Sequence, residues 1–401
     1  MIAVRLALAY AGFFLVLGAS LPFLPLWLAG RGLDEAQIAL VISGALVAKM
    51  LFGPAYAYWA DTRLSRRAGA AVMATGAFVA YAAYAPMQSF PAILAVGIAA
   101  GACSAAVLPL IDVVVLGAER AGLVRYPRIR AVGSVCFILA NIGCGQLKDV
   151  YGSEAVLAWV VAASALLVAA AWSLPGEAVV RQTTLEAAPR GARFKVFVVL
   201  LRRPDISGAL LASAALQASH AVYYAYSAIF WGQAGLSGLV IGALVAWGVA
   251  VEVAFFTLGA RLTDRLGVSG LFAVSGIAGL IRWSAYAYEP GLGALVALQT
   301  LHAGTFACAH LAVVRHLSGH APDRLAGAAQ SVNSAFSNGA ALAGATALAG
   351  FVVQAIGAKA FWLMAGLSVL GGVIGMWTTR RDPAARAANQ AATAAAAGPA
   401  P

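Results

Sequence analysis

Charge is scarce in this chain. Asp, Glu, Lys and Arg make up 10% of its 401 residues while 62% are hydrophobic, and a water-soluble domain of that size needs far more polar surface. Runs that alternate apolar with polar residues are lacking, which argues against a membrane barrel. Cysteine is sparse: Cys103, Cys136, Cys144 and Cys308 sit in apolar runs without paired spacing, a pattern of small packing residues rather than disulfides or metal ligands. There is no His-Glu-x-x-His, no Walker-type Gly-x4-Gly-Lys loop and no polar stretch large enough for an extramembrane domain. An enzyme is therefore not expected, nor a cofactor or bound metal.

Apolar segments of about 20 residues recur along the whole chain, each long enough to cross a hydrocarbon core of about 30 Å. Broken at charge, Gly and Pro, they predict twelve helical spans near residues 4–29, 36–58, 68–86, 91–117, 128–147, 154–174, 206–232, 237–258, 268–288, 290–316, 325–354 and 358–378. The first is too long for a cleaved signal core and reads as a retained helix. The net charge of +11 is no sign of nucleic-acid binding, because the basic residues alternate from loop to loop. Lys and Arg number 21 in the amino terminus, even-numbered loops and carboxyl tail, against three in the odd-numbered loops (Arg31, Lys148, Lys359). That bias places both termini in the cytoplasm of a multi-pass inner-membrane protein.

Compared with itself, the chain shows a register at an offset of 203 residues. Asp61 meets Asp264, Leu33 meets Leu236 and Gly101 meets Gly304; near the end of each half the offset drifts to 205, pairing Gly145 with Gly350. Two pseudo-symmetric six-helix bundles follow, at residues 1–175 and 205–380, joined by a basic loop at 176–204 and followed by an Ala-rich tail at 381–401 expected to be disordered. The same offset pairs Lys49 with Glu252, and Asp112 with Arg315, so equivalent positions carry opposite charges.

Intramembrane charge needs a partner or a wet cavity, since each such group costs at least about 2.5–3.5 kcal/mol at the centre of a span. Lys49 and Glu252 lie 12 residues from Asp61 and Asp264, roughly 18 Å deeper along a helix. Arg282 and His302 come to similar depth. Structural ion pairs are the plain alternative, and Lys49 can also snorkel. Asp112 and Arg130 flank one loop symmetrically and are expected to pair as a hairpin salt bridge or to serve as a proton site. The loops around Asp61 and Asp264 set an acid beside basic residues, either as a solvated cluster or as an inner gate. His310 reads as a cap on a polar seam. Of the aromatic residues crowding spans 7 and 8, Tyr223 and Trp247 are candidates to stack on a planar solute.

The run Leu21-Pro22-Phe23-Leu24-Pro25-Leu26-Trp27-Leu28, with Gly32-Leu33 and the Asp61 loop, resembles the start of major facilitator carriers of the phenylpropionate permease family. That family is similar to the lactose permease group of proton symporters. Arg130-Ala131-Val132-Gly133-Ser134, Ala250-Val251-Glu252-Val253, Arg282-Trp283, Gln299-Thr300-Leu301-His302-Ala303-Gly304-Thr305-Phe306 and Ala329-Gln330-Ser331 follow in the expected order. The resemblance runs from Tyr10 to Met376. It implies proton symport of a small organic solute by a monomer, with an aromatic or other organic carboxylate as the expected class. It also implies a substrate-linked Asp112 and Arg130, a coupling role for Glu252, an Arg282 that tunes the proton site, and a loosely matched His302. The acid expected shortly after that histidine is missing, since the charged residue lower on the span is Arg315; this leaves Glu252 as the leading proton carrier. The expected roles are then proton coupling for Glu252, Asp112 and His302, solute contact for Lys49, Arg282, His302, Gln299, Trp247 and Tyr223, and ion-pair or gate duty for Asp61, Asp264, Arg130 and Arg315. A drug/proton antiporter of the same fold is the nearest alternative, and a membrane receptor or enzyme a remote one.

Overall fold

In a computed structural model, residues 1–176, 201–321 and 326–380 are described, apart from the side chains of Asp61 and Ala326. Most of the expected central loop and the whole expected tail lie outside the described residues. The described chain is helical from end to end. Its helices are α1 Ile2–Gly30, α2 Glu35–Arg63, α3 Arg66–Ala83, α4 Phe90–Ser104, α5 Val107–Arg120, α6 Tyr126–Tyr151, α7 Glu154–Trp172, α8 Pro204–Ala218, α9 Ala221–Gln233 and α10 Gly238–Leu258. They continue with α11 Ala260–Tyr286, α12 Leu292–Thr300, α13 Ala309–His320, α14 Ala326–Asn333, α15 Leu342–Ile356 and α16 Phe361–Arg380. Among the described residues, nine helices are long and apolar enough to cross a membrane. Each expected span coincides with a helix or with consecutive helical pieces.

Local chemistry sets where these helices begin. Asp34 accepts from the Gln37 amide at 2.8 Å while Gln37 Oε1 accepts from the Asp34 amide at 3.3 Å, a reciprocal cap that starts α2. Ser65 accepts from the Ala68 amide at 3.1 Å and starts α3. Gly267, at φ 60, breaks α11 just after Asp264, a conformation open mainly to glycine. That break explains why the expected ninth span begins at residue 268.

Several spans are interrupted, one of them beside the expected site residue His302. A turn at Ser219 and His220 separates α8 from α9, and π-helical turns run over Ala303–Cys308 and Ser334–Ala341. Such turns re-aim the side chains they carry, and apolar surroundings accept them only where other polar groups satisfy the backbone.

Two compact units emerge. The first draws on Met1–Leu185, Val222–Ala246 and Thr346–Gly357, the second on Glu186–Ala221, Trp247–Ala345 and Ala358–Pro401. The divisions fall within α10 and α15, and contacts inside the first unit hold part of α10 to α6. Asp149, near the end of α6, accepts from the Gly238 and Leu239 amides at the start of α10, at 2.6 and 2.8 Å. A carboxylate there satisfies donors that the helix itself leaves open. Beside it Gly145 and Gly238 meet so closely that a Cβ at Gly145 would lie 2.1 Å from the Gly238 carbonyl oxygen. Tyr226 donates to the Glu35 carbonyl at 2.6 Å within the same unit. Arg31 grips Glu154 through two nitrogens at 2.9 and 3.1 Å, and Trp27 Nε1 donates to the same carboxylate at 3.2 Å.

Candidate functional site

The second unit holds a buried polar cluster assembled from four helical segments. Arg282, on α11, has no exposed surface. Its Nη2 donates to Gln299 Oε1 at 2.5 Å, and its Nη1 donates to Thr305 Oγ1 at 3.0 Å and to His302 Nδ1 at 3.1 Å. The guanidinium also lies over the Trp283 ring at 4.6 Å from its centroid, and stacking on an aromatic face is a habit of Arg that Lys does not share. His302 Nε2 stands 3.3 Å from Glu252 Oε2. The π-helical turn after His302 is what brings His302 and Thr305 to the same guanidinium.

These contacts fix proton positions. Arg has only donors, so His302 Nδ1 must accept and the lone ring proton sits on Nε2, facing Glu252. The ring cannot take a second proton while Arg282 occupies Nδ1. Glu252 is thus the one group of the pair with room for a proton, and it keeps 19% of its side chain exposed. In the contact between these two residues, both expected to take part in proton coupling, His302 Nε2 donates and Glu252 accepts.

Arg282 and Gln299 were expected to touch solute. Both are fully buried, and the two terminal nitrogens of Arg282 donate to Gln299, His302 and Thr305 within the cluster. Trp247 is 45% exposed, whereas Tyr223 is packed against Tyr224 and Trp231. Of the two expected stacking residues, only Trp247 presents a substantial surface.

Lys49 belongs to the first unit. It lines a cavity of about 30 Å³ together with Phe13, Tyr81, Ser20, Ser104 and Ser164, space for about two water molecules. No acid lies within salt-bridge distance of it among the described residues.

Asp112 and Arg130 do not form the expected ion pair. Asp112 instead accepts from the hydroxyls of Tyr10 and Tyr126, the latter at 3.3 Å. Arg130 lies over the Phe14 ring at 4.5 Å from its centroid and donates to Ser134 at 3.4 Å. Both phenols donate to Asp112 Oδ1, and the guanidinium lies over an aromatic face instead of meeting the carboxylate. Arg315 does find an acid: it donates to Asp264 at 2.8 Å and to the Thr263 carbonyl at 3.2 Å. The Asp61 side chain lies outside the described residues.

Sequence reasoning passed over His220, Thr305, Tyr10 and Tyr126. His220 carried the signal that flagged His302, an ionisable ring inside an apolar run. The others are polar but uncharged, and nothing local marks them.

A model for the MFS_1 like family matches residues 3–364. The "Probable 3-phenylpropionic acid transporter" of Escherichia coli (strain K12) is 28% identical over 368 residues, which cover 90% of this chain and 93% of that protein. The "Uncharacterized transporter YwbF" of Bacillus subtilis (strain 168) is 24% identical over 368 residues, covering 90% and 88%. Among solved structures, the nucleoside transporter NupG is similar with a TM-score of 0.80 at 19% identity, covering 95% of this chain and 100% of that one. The POT family transporter PepTSo is similar with a TM-score of 0.71 at 10% identity, covering 94% of this chain and 97% of that one. At such identities the structural likeness concerns the fold alone.

Proposed function

Since the chain belongs to the MFS_1 like family and is a multi-pass membrane transporter, not an enzyme, we propose that it is a proton-coupled symporter. Its proposed cargo is a small organic carboxylate, aromatic by the name of the Escherichia coli relative. It works by alternating access, as a monomer in the inner membrane, through twelve spans with both termini in the cytoplasm.

The observation that carries this reading is the Glu252–His302–Arg282 line. With Glu252 ionised, the acid and the guanidinium balance and the cluster is neutral. A proton taken from the acidic side goes to Glu252, because His302 Nδ1 is occupied. The cluster then holds an uncompensated positive charge in a low-dielectric wall, where charges act strongly over distance. Arg282, without exposed surface, attracts the solute carboxylate by its field, while the Trp247 ring, 45% exposed, offers direct contact. Loss of the proton on the alkaline side restores neutrality and lowers the affinity for the anion. Each load thereby raises the affinity for the other, as linkage requires.

Proteoliposomes carrying Glu252→Gln provide the test, with 3-phenylpropionate as solute and an imposed pH gradient. The expected result is exchange without accumulation, since Gln mimics the protonated acid permanently. Accumulation equal to that of the unaltered protein rules the assignment out.

A further inference from the structure

The polarity of the buried cluster has an origin beyond Arg282. At the break between α8 and α9, the Leu216 carbonyl accepts from Ser219 Oγ at 2.6 Å and lies 3.0 Å from His220 Nδ1. A carbonyl cannot donate, so His220 Nδ1 carries the ring proton and Nε2 of the neutral ring is an acceptor. Nε2 lies 3.2 Å from Thr305 Oγ1. The threonine hydroxyl therefore directs its proton to His220, which leaves its lone pairs for Arg282 Nη1 at 3.0 Å. The same Nη1 reaches His302 Nδ1 and so places the His302 proton toward Glu252. The threonine hydroxyl has a second acceptor at 3.2 Å, the His302 carbonyl, and the bare Nε2 of the buried His220 ring is what turns its proton the other way. His220 has no exposed surface and is wedged edge-on against Trp283 at 5.2 Å between ring centroids, so the ring has no room to turn over.

We infer that His220 is a positioning residue for proton coupling: through Thr305 and Arg282 it holds His302 in the tautomer that leaves Glu252 as the sole proton acceptor. The inference rests on the symport reading above. Without His220, the threonine proton turns to the His302 carbonyl, its remaining acceptor at 3.2 Å. The lone pairs rotate away from Arg282, the guanidinium loosens, and His302 Nδ1 opens to a proton. A doubly protonated His302 beside Glu252 keeps that acid ionised to lower pH. The titratable and charged groups around the pair are Arg282 on α11, His220 at the α8–α9 break, 6.2 Å from His302 between ring centroids, and His310 on α13, stacked on the far side of Phe306 from His302; Trp283, under the Arg282 guanidinium, meets the neutral Ser368 and Phe361 of α16.

The experiment measures initial 3-phenylpropionate uptake into proteoliposomes across external pH for the unaltered protein, Glu252→Gln, His220→Phe and His220→Gln. Phe fills the space without polar atoms, whereas the Gln amide offers both a donor and an acceptor. The expected result is a midpoint of Glu252-dependent uptake displaced by about one pH unit toward acid in His220→Phe, a tenfold change in proton concentration, and restored in His220→Gln. A His220→Phe profile that is scaled down evenly, or a Gln variant displaced like Phe, overturns the inference while leaving the symport reading intact. A flat profile for the unaltered protein, or one that Glu252→Gln does not alter, overturns both.

Discussion

Alanine in place of Gly145 should weaken the structure sharply for so small a change. Its Cβ would stand 2.1 Å from the Gly238 carbonyl oxygen and 2.6 Å from the carbonyl carbon, where ordinary contact begins at 3.4 Å. Both obstacles are backbone, so no side chain can rotate aside and the two helices must part by about 1 Å. Crowding of this kind costs about 1–3 kcal/mol. The same displacement stretches the bonds from Asp149 to the Gly238 and Leu239 amides, now 2.6 and 2.8 Å, beyond hydrogen-bond range. Together the two bonds to this charged but partly exposed carboxylate contribute about 1.5–3 kcal/mol, so with the crowding the total loss should reach about 3–6 kcal/mol. At about 2–4 °C per kcal/mol, the melting temperature of the detergent-purified protein should fall by roughly 10 °C in a thiol-dye unfolding assay. Gly344→Ala is the internal control. It lies within α15 with nothing within 4 Å of its Cβ, and there alanine should be neutral or gain about 0.5–1 kcal/mol. A Gly145→Ala melt at or above that of Gly344→Ala would refute the argument.

Two other outcomes follow from the charged groups. Arg282→Lys should reduce proton-driven uptake by about 100-fold or more, since an ammonium lacks the planar fork that now serves Gln299, Thr305 and His302; uptake within a few-fold of normal would show that the fork is dispensable. Asp264→Asn should shift the melting temperature by no more than a few degrees, because its partner Arg315 is held in an ion pair whose acid is 69% exposed, and such pairs contribute about 0–1 kcal/mol.

Much of this architecture was legible without coordinates. Hydrocarbon admits only apolar helical segments of sufficient length, so composition placed the expected spans on observed helices. The 203-residue offset marked Asp264 and Glu252 as equivalents of Asp61 and Lys49. Pairing was far less legible. Asp112 and Arg130 looked like natural partners by depth, yet depth is shared around the whole circumference of a helix. Tyr10 and Tyr126 reached the acid first, and hydroxyls leave no mark on a charge map. His220 became visible as a member of the cluster only through the break that turns its ring toward Thr305.

The sequence by itself determined a membrane-spanning helical chain with ionisable groups at mid-depth, because insertion into lipid penalises every polar residue lacking a reason to be there. Only the tertiary structure decided which partner each of those groups holds. The turn at Ser219 and His220 and the π-helical turns rotate side chains by amounts that depend on packing across helices, and proton positions follow from the carbonyls and guanidinium nitrogens that this packing presents.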